Sequence, residues 1–591
     1  MLKMPMIFGN GMVLQRQKEI AVWGTAEAGM EVTVTLSDEK KADSQGMEGT
    51  RQYGAQSVQT RADDQGDWSV KLPAGEAGRG LWMKVESKDE QTVFSDICIG
   101  EVWVAGGQSN MEYLLKYDAD KENELAREAN PDIRFFDYPE VSYGGQLEEF
   151  PEPEYGFWRQ AEARQLPWFS AVGYYFARIL EDKLEIPIGI VGCNWGGTPA
   201  CAWQDPEGLR GMEGEPWLTE YEKATARLDM EQYWRQVKKN LAQTKGTQEQ
   251  SDMAAVWERV MYPGLSREEQ KKMMEQMAKM TERAAESSEK GEEEQEINLM
   301  ELQPQNRPGG LYQTMLQKVA PFTARGVIWY QGESDENHAE AYAAVFGRMI
   351  EGWRALWQEE LPFLFVQLAP FGRWLGGTGE KYPELRRQQE RVSREVAHTW
   401  MASIGDAGML EDIHPKHKRP VGERLAELAL GHIYERPELC RVPGLCDAPE
   451  LERAERISAV HVEDTYVKNA GQEEIRIYLR YGEGLHLETH NYTRAEPAPE
   501  FLEHDPAECS AKPDPIVTVP ALRLYEIFFD ESQSEQEREI PAGQIRLQEN
   551  TLILPGSFPE QVEVRFAWEP YYEVNVYNAA GLPVKPFRIR L

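Results

Sequence analysis

Over residues 1 to about 95, apolar and polar positions alternate. Ile20 and Val22, then Val32, Val34 and Leu36, then Leu81, Met83 and Val85 each fall on one side of an extended chain, with Gly, Asp, Ser and Pro between the runs. A period of two predicts β strands with one buried face. From about residue 96 the rhythm changes. Val102-Trp-Val104, Ile186–Val191, Gly326–Tyr330, Pro362–Leu368 and Thr399–Ile404 are apolar runs of strand length, as expected of strands buried on both faces. Between them, Trp168, Val172, Phe176, Ile179 and Leu184 recur at helical spacing and are expected to cover one face. Strands alternating with helices predict a parallel sheet with helices on both sides over residues 96–435.

Residues 206–308 depart from that pattern. Met230–Lys239 and Arg267–Met277 read as helices dense in Glu, Lys and Met, and Glu286–Glu296 is charged and polar with no large apolar residue. This is expected to be a helical insertion, its Met stripe packing between helices rather than holding a cofactor. After 436, alternation returns at Glu474–Leu479 and Val562–Trp568. The expected partition is thus an N-terminal β region (1–95), an α/β domain (96–435) and a C-terminal β region (436–591). No tandem repeat is evident.

Charge removes some partners from consideration. With 64 Lys and Arg against 100 Asp and Glu, the net charge of −36 repels phosphate backbones and anionic membranes. Neither nucleic acid nor membrane is an expected partner, and an anionic substrate would need a local basic patch. The six cysteines form no Cys-x-x-Cys pair, so neither a zinc site nor a disulfide framework is indicated. The N-terminal stretch has no sustained apolar segment, which predicts a cytoplasmic protein; a chain whose leader had been removed would read the same. Oligomeric state is not encoded in any recognisable pattern.

Candidate chemistry sits at the ends of the apolar runs. After Val102-Trp-Val104, Gly106 and Gly107 permit a sharp turn, Ser109 follows at once, and Glu112-Tyr-Leu-Leu-Lys116 is helix-forming. A serine so placed has an exposed hydroxyl that can attack a carbonyl and a free amide that can help hold the oxyanion. Met111 stands where the Gly-x-Ser-x-Gly elbow of α/β-hydrolases has glycine, so that motif is not matched. Gly196 and Gly197, just past Ile186–Val191, leave backbone N–H groups bare enough to face a ligand. Gln331, just past Gly326–Tyr330, carries a side-chain amide with two N–H donors. His414 closes a loop opened by Gly405 and Gly408, with Pro415 behind it.

Taken together these segments resemble the SGNH-type esterases, and more narrowly the sialate O-acetylesterase-like family. The resemblance rests on Gly107-Gln-Ser-Asn-Met111, Gly192-Cys-Asn-Trp-Gly-Gly-Thr-Pro199, Trp329-Tyr-Gln-Gly-Glu333, Leu385-Arg-Arg-Gln-Gln389 and Asp412-Ile-His-Pro415. Phe8–Arg16 with Val22-Trp-Gly24, and Val574–Pro583, are similar to the family's terminal β blocks. It implies an SGNH-hydrolase three-layer α/β/α domain carrying the helical insertion and flanked by N- and C-terminal β-rich, sandwich-like regions. It implies Ser109 as nucleophile and His414 as base, with the Ser109 amide, a Gly196 or Gly197 amide and the Gln331 side chain as oxyanion hole. Gln108, Asn110 and Glu333 would support the loops, and Arg386 would contact substrate. The wider superfamily has Asp three residues before the histidine, where this chain has Glu411; Asp412, two before, matches part of the narrower branch. Both remain candidates for the third triad member.

The implied activity is that of a serine esterase removing O-acetyl groups from a sugar, with O-acetylated sialic acid foremost. An acetyl xylan or other polysaccharide esterase, or a non-catalytic carbohydrate-binding protein, are the alternatives. Arg386 and Arg387 are the basic candidates for a sialate carboxylate; Trp195 and Trp203 would serve a neutral sugar. No metal and no organic cofactor is required.

Overall fold

Two helices, Ala171–Leu184 and Tyr342–Trp357, pack on opposite faces of one parallel sheet, and the register of two tryptophans shows why. Trp103 pairs with Gly326, and Trp329 lies three residues further along the same strand, so the two-residue period puts the indoles on opposite faces. Trp103 meets Phe176 of the first helix at 5.1 Å, and Trp329 meets Trp353 of the second at 5.6 Å. The expected α/β/α layering is present. The computed structural model describes residues 1–38, 54–211, 215–244, 258–261, 266, 268–273, 275, 302–442, 446–457, 473–487, 518–526, 536–541, 545–556, 558, 562–574 and 576–591.

The chain forms two units. The first comprises Met1–Glu258, Gln276–Phe365 and Glu395–Trp400; the second comprises Arg259–Glu275, Val366–Arg394 and Met401–Leu591. In the first, the long strand Glu90–Gly107 is central. Its first half pairs antiparallel with Gly78–Ser87, and through it the N-terminal strands Glu31–Ser37 and Gln56–Arg61 join the same sheet. Its second half lies parallel between Ile188–Asn194 and Gly326–Tyr330. Asn130–Asp137 adds to Ile188–Asn194 in parallel, and Trp158–Ala161 closes that edge antiparallel. One uninterrupted strand thus carries the chain across residue 95, from alternating burial to complete burial.

Chain order reverses on either side of Glu90–Gly107, so the carboxyl ends of three adjacent strands open at a topological switch point, where ligands bind in such sheets. The expected face Trp168–Leu184 needs correction at its ends. Ser170 caps the helix by accepting from the Gly173 amide at 3.1 Å, so helix begins at Ala171. Trp168 stays in the preceding turn, 48% exposed under the Lys116 ammonium. Val172, Tyr175, Phe176 and Leu180 form the buried face instead.

Of the insertion, the helices Glu215–Thr225 and Met230–Thr244 are described, and Tyr233 and Val237 bury with Tyr143 in a cluster that Met230 and Trp234 join. The charged run Glu286–Glu296 lies outside the described residues, and of Arg267–Met277 residues 268–273 and 275 lie within them. In the second unit, Glu450–Ile457, Glu473–Arg480, Thr551–Gly556 and Arg546–Gln548 form one antiparallel sheet, while Val562–Phe566 and Phe587–Arg590 belong to another. Ile475, Ile477 and Leu552 from the first share an apolar cluster with Val564, Phe566 and Phe587 from the second, a sandwich arrangement. Among the described residues no helix is long and apolar enough to cross a membrane.

Candidate active site

The serine side belongs to the first unit. Gly107 has φ +134°, and a Cβ there would lie 2.1 Å from the Tyr330 carbonyl, so only glycine lets the strand turn against its neighbour. Past this turn the one-turn helix Ser109–Glu112 begins, placing Ser109 half-exposed at the end of the central strand. The adjacent strand ends at Asn194, and the Trp195 amide donates to the Gly107 carbonyl at 3.1 Å, which draws Gly196 over the serine. A Cβ on Gly196 would lie 3.4 Å from Ser109 Cβ; one on Gly197, at φ +72°, would meet nothing within 4 Å. This separates two glycines that the sequence left equivalent. Gly196 is the one beside the serine.

Three neighbours hold the turn. Asn110 Nδ2 donates to Glu333 Oε1 at 2.5 Å. Gln108 Oε1 accepts from the Gly332 and Ser334 amides at 3.4 and 3.3 Å. Gln331, however, is not placed as an oxyanion donor. It is fully buried, and its NH₂ donates to the Thr198 carbonyl at 3.1 Å and to Asp335 Oδ2, while its own carbonyl accepts from the Tyr342 hydroxyl at 2.9 Å. Asp335 also accepts from the Ala200 amide at 3.0 Å, and burial pushes its carboxyl up to about 6. Gln331 and Asp335 therefore tie the second and third strand ends together, a structural task the sequence did not reveal. Trp203 is likewise sealed in the core, its indole donating to Thr198 Oγ1 at 3.0 Å, so it offers no surface to a sugar; Trp195 stays half-buried.

A further neighbour of the serine is Glu112, the acid in the first turn of the same helix. Glu112 Oε2 accepts from the Gly196 amide at 2.8 Å. Spacing could have suggested it, since residues three apart on a helix share a face.

The histidine side belongs to the second unit. His414 and Asp412 are buried, 3% and 5% exposed. Asp412 Oδ1 accepts from the His414 amide at 2.8 Å and lies 3.3 Å from His414 Nδ1. With Nδ1–H directed to that carboxylate, Nε2 keeps the lone pair. Lys416, also buried, pairs with Asp412 Oδ2 at 2.9 Å and donates to the Met261 carbonyl at 2.6 Å. The Trp374 ring stands edge-on to the imidazole at 5.2 Å. Burial lowers the His414 pKa, Asp412 opposes that shift, and Lys416 and Lys418 add to it, so the ring is neutral at pH 7. Asp412 is held below the usual carboxylate range: burial works against ionisation, but the bonds and charges of His414 and Lys416 outweigh it.

Glu411 is engaged by another partner. Its Oε1 accepts from Arg373 Nε at 3.0 Å. Arg386 is corrected too. It is fully buried and donates to the carbonyls of Ala567, Glu569 and Pro570 at 3.4, 2.8 and 2.5 Å, so it cannot touch substrate. Arg387 pairs with Glu384 on its own helix at 2.8 Å. Arg386→Ala should leave those carbonyls unsatisfied and cost on the order of 3 kcal/mol in urea unfolding. An unchanged midpoint would count against this structural role.

With that geometry in view, likeness to known proteins is informative. Residues 297–431 match the family model described as carbohydrate esterase, sialic acid-specific acetylesterase. Sialate O-acetylesterase of Rattus norvegicus is 26% identical over 451 residues, covering 70% of this chain and 70% of that protein. The Homo sapiens enzyme is 24% identical over 445 residues, covering 70% and 68%. The crystal structure of a carbohydrate acetylesterase from Xanthomonas citri shares the fold along the whole chain, with TM-score 0.65 at 24% identity, covering 100% of this chain and 99% of that one. The chain is a carboxylic ester hydrolase. Within that class it is similar to the sialate O-acetylesterases.

Proposed function

We propose that the protein removes O-acetyl groups from sugars through an acetyl–serine intermediate. The observation that carries the mechanism is the buried His414–Asp412 pair, which holds a neutral imidazole with Nε2 available as a base. Ser109 Oγ attacks the acetyl carbonyl while His414 takes its proton. The tetrahedral oxyanion is held by the Ser109 and Gly196 amides. His414 then protonates the departing sugar oxygen, and water repeats the sequence on the acetyl–serine. Asp412 orients the imidazole and stabilises its charged form without itself taking the proton.

His414 works only when neutral, so activity is lost as pH falls through its pKa. Because that pKa lies below the ordinary histidine value of about 6.5, the acid limb of kcat/KM is expected below pH 6.5 rather than across pH 6–7. Lys416→Met removes a positive neighbour and should move the limb upward. A limb fixed at the same pH in both proteins would contradict the coupling.

O-acetylated sialic acid is the foremost substrate, supported by the family model and the curated relatives. A second reading, deacetylation of a neutral polysaccharide such as acetylated xylan, is favoured by two observations. Arg386 is committed to backbone carbonyls, and Glu112 adds to the upward pKa shifts of Asp137 and Glu140, an acidic group near the serine. Acetate release from O-acetylated sialic acid and from acetylated xylan, at matched acetyl concentration, decides between them. Faster release from sialate supports the first reading; faster, salt-indifferent release from xylan moves the assignment to the second.

A further inference from the structure

The Gly196 amide, assigned above to the oxyanion, already donates to a carboxyl oxygen. Glu112 Oε2 sits 2.8 Å from its nitrogen, and a Cβ built on Gly196 would lie 3.2 Å from that oxygen and 3.4 Å from Ser109 Cβ. The carboxylate therefore stands beside the nucleophile, on the donor that the tetrahedral intermediate needs. An oxyanion formed there would face a like charge about 4 Å away. At an effective dielectric of about 20, that repulsion slows the reaction on the order of a thousandfold.

We propose that Glu112 controls access to the oxyanion position: its carboxylate occupies the Gly196 amide in the resting enzyme, and ester hydrolysis proceeds from the form in which Glu112 carries a proton. This rests on the reading of Ser109 and Gly196 given above. The proton stays on Glu112 throughout; it is not consumed, and no bond to Glu112 forms or breaks. A neutral carboxyl yields the amide to the incoming carbonyl oxygen without leaving a charge behind.

The surroundings of Glu112 hold that proton near neutral pH. Burial pushes its carboxyl up to about 7, against the Gly196 hydrogen bond. From the end of the Asn130–Asp137 strand comes Asp137, whose carboxyl burial also raises to about 7; Arg159 opposes that shift and Glu112 adds to it. Glu140, beyond that strand, is raised well above the usual range by burial and by Glu112, Asp137 and Glu152. Tyr155 is raised as well, and Cys193 of the neighbouring strand lies beside Asp137. On the Ala171–Leu184 helix, Tyr174 and Arg178 engage Glu124, and Tyr175 engages Asp118. Glu333, from the loop after Gly326–Tyr330, bonds Asn110. Gly192 has the space for this cluster: a Cβ there would lie 2.4 Å from Asp137 Oδ1.

The test is the pH profile of kcat/KM for 4-nitrophenyl acetate, from pH 5 to 9, in the full chain and in Glu112→Gln. Wild type should rise as His414 loses its proton and fall above about pH 7 as Glu112 loses its own. Glu112→Gln, which keeps an acceptor for the Gly196 amide but no charge, should keep the acid limb and lose the alkaline fall. By pH 8.5 its rate relative to the neutral plateau should exceed that of wild type by roughly thirtyfold. Asp137→Asn removes a negative neighbour, favours ionised Glu112, and should shift the alkaline fall to lower pH. An alkaline fall unchanged in Glu112→Gln, or a folded Glu112→Gln inactive at every pH, overturns the proposal. Ser109→Ala assayed alongside keeps the two readings apart. If that variant is inactive and the alkaline fall persists, only the role of Glu112 fails; if it stays active, the reading of the whole site fails.

Discussion

Ser109→Ala is expected to lower kcat on an acetate ester by about 10⁴- to 10⁶-fold with little change in KM. Only the hydroxyl is removed, while the tight turn depends on Gly107 and on the bonds made by Gln108 and Asn110, which stay in place. The variant should therefore fold as wild type does. His414→Ala should cost a similar factor, because a hydroxyl without its base and a base without its nucleophile fail at the same step. The double variant should be no slower than the slower single one, since groups acting as a unit are not additive. Kinetics of the three variants check this, with circular dichroism as the control for folding. Costs that multiplied in the double variant would mean that Ser109 and His414 act in separate steps.

Much of this site was legible because its chemistry stands at the ends of buried strands. Val102-Trp-Val104 and Gly326–Tyr330 declare themselves by apolar content, and the residues just past a buried strand of a parallel sheet lie at its binding edge. Ser109 and the Gly196–Gly197 pair stand out that way, and the structure then places Gly196 beside the serine. The features that stayed hidden depended on tertiary partners remote in sequence. Arg386 has the local pattern of a solvated helix arginine; its buried state comes from carbonyls 181 to 184 residues further on. Gln331 carries the right functional group, but its donors are taken by Thr198, 133 residues earlier, and by Asp335. Glu112 looked like a helix-start acid, because no local signal tells that the Gly196 amide, 84 residues away, comes to it. The choice between Glu411 and Asp412 was likewise a matter of direction, which spacing alone does not give.

The second large effect concerns that acid. Asp412→Asn is expected to reduce kcat by about 10²- to 10⁴-fold, because an amide in place of the carboxylate can present its NH₂ to His414 and favour the wrong tautomer. Glu411→Ala should leave kcat within about threefold, since its carboxylate serves Arg373. Stability needs separate treatment. Lys416 is only 2% exposed and pairs with Asp412, so removing one partner strands a buried charge at a cost of about 3–5 kcal/mol. Asp412→Asn combined with Lys416→Met should recover much of that stability while leaving the rate low. Recovery of both together would show that Asp412 serves the fold rather than the reaction. Kinetics and urea unfolding on the four proteins separate these outcomes.

The central claim is that the acetyl group passes through Ser109. The most direct measurement is acid quenching of the enzyme during turnover of an acetate ester, followed by peptide mass spectrometry. The account predicts one added acetyl group on the peptide containing Ser109, absent from Ser109→Ala. An acetyl group found on another residue, or steady hydrolysis by Ser109→Ala, would contradict it.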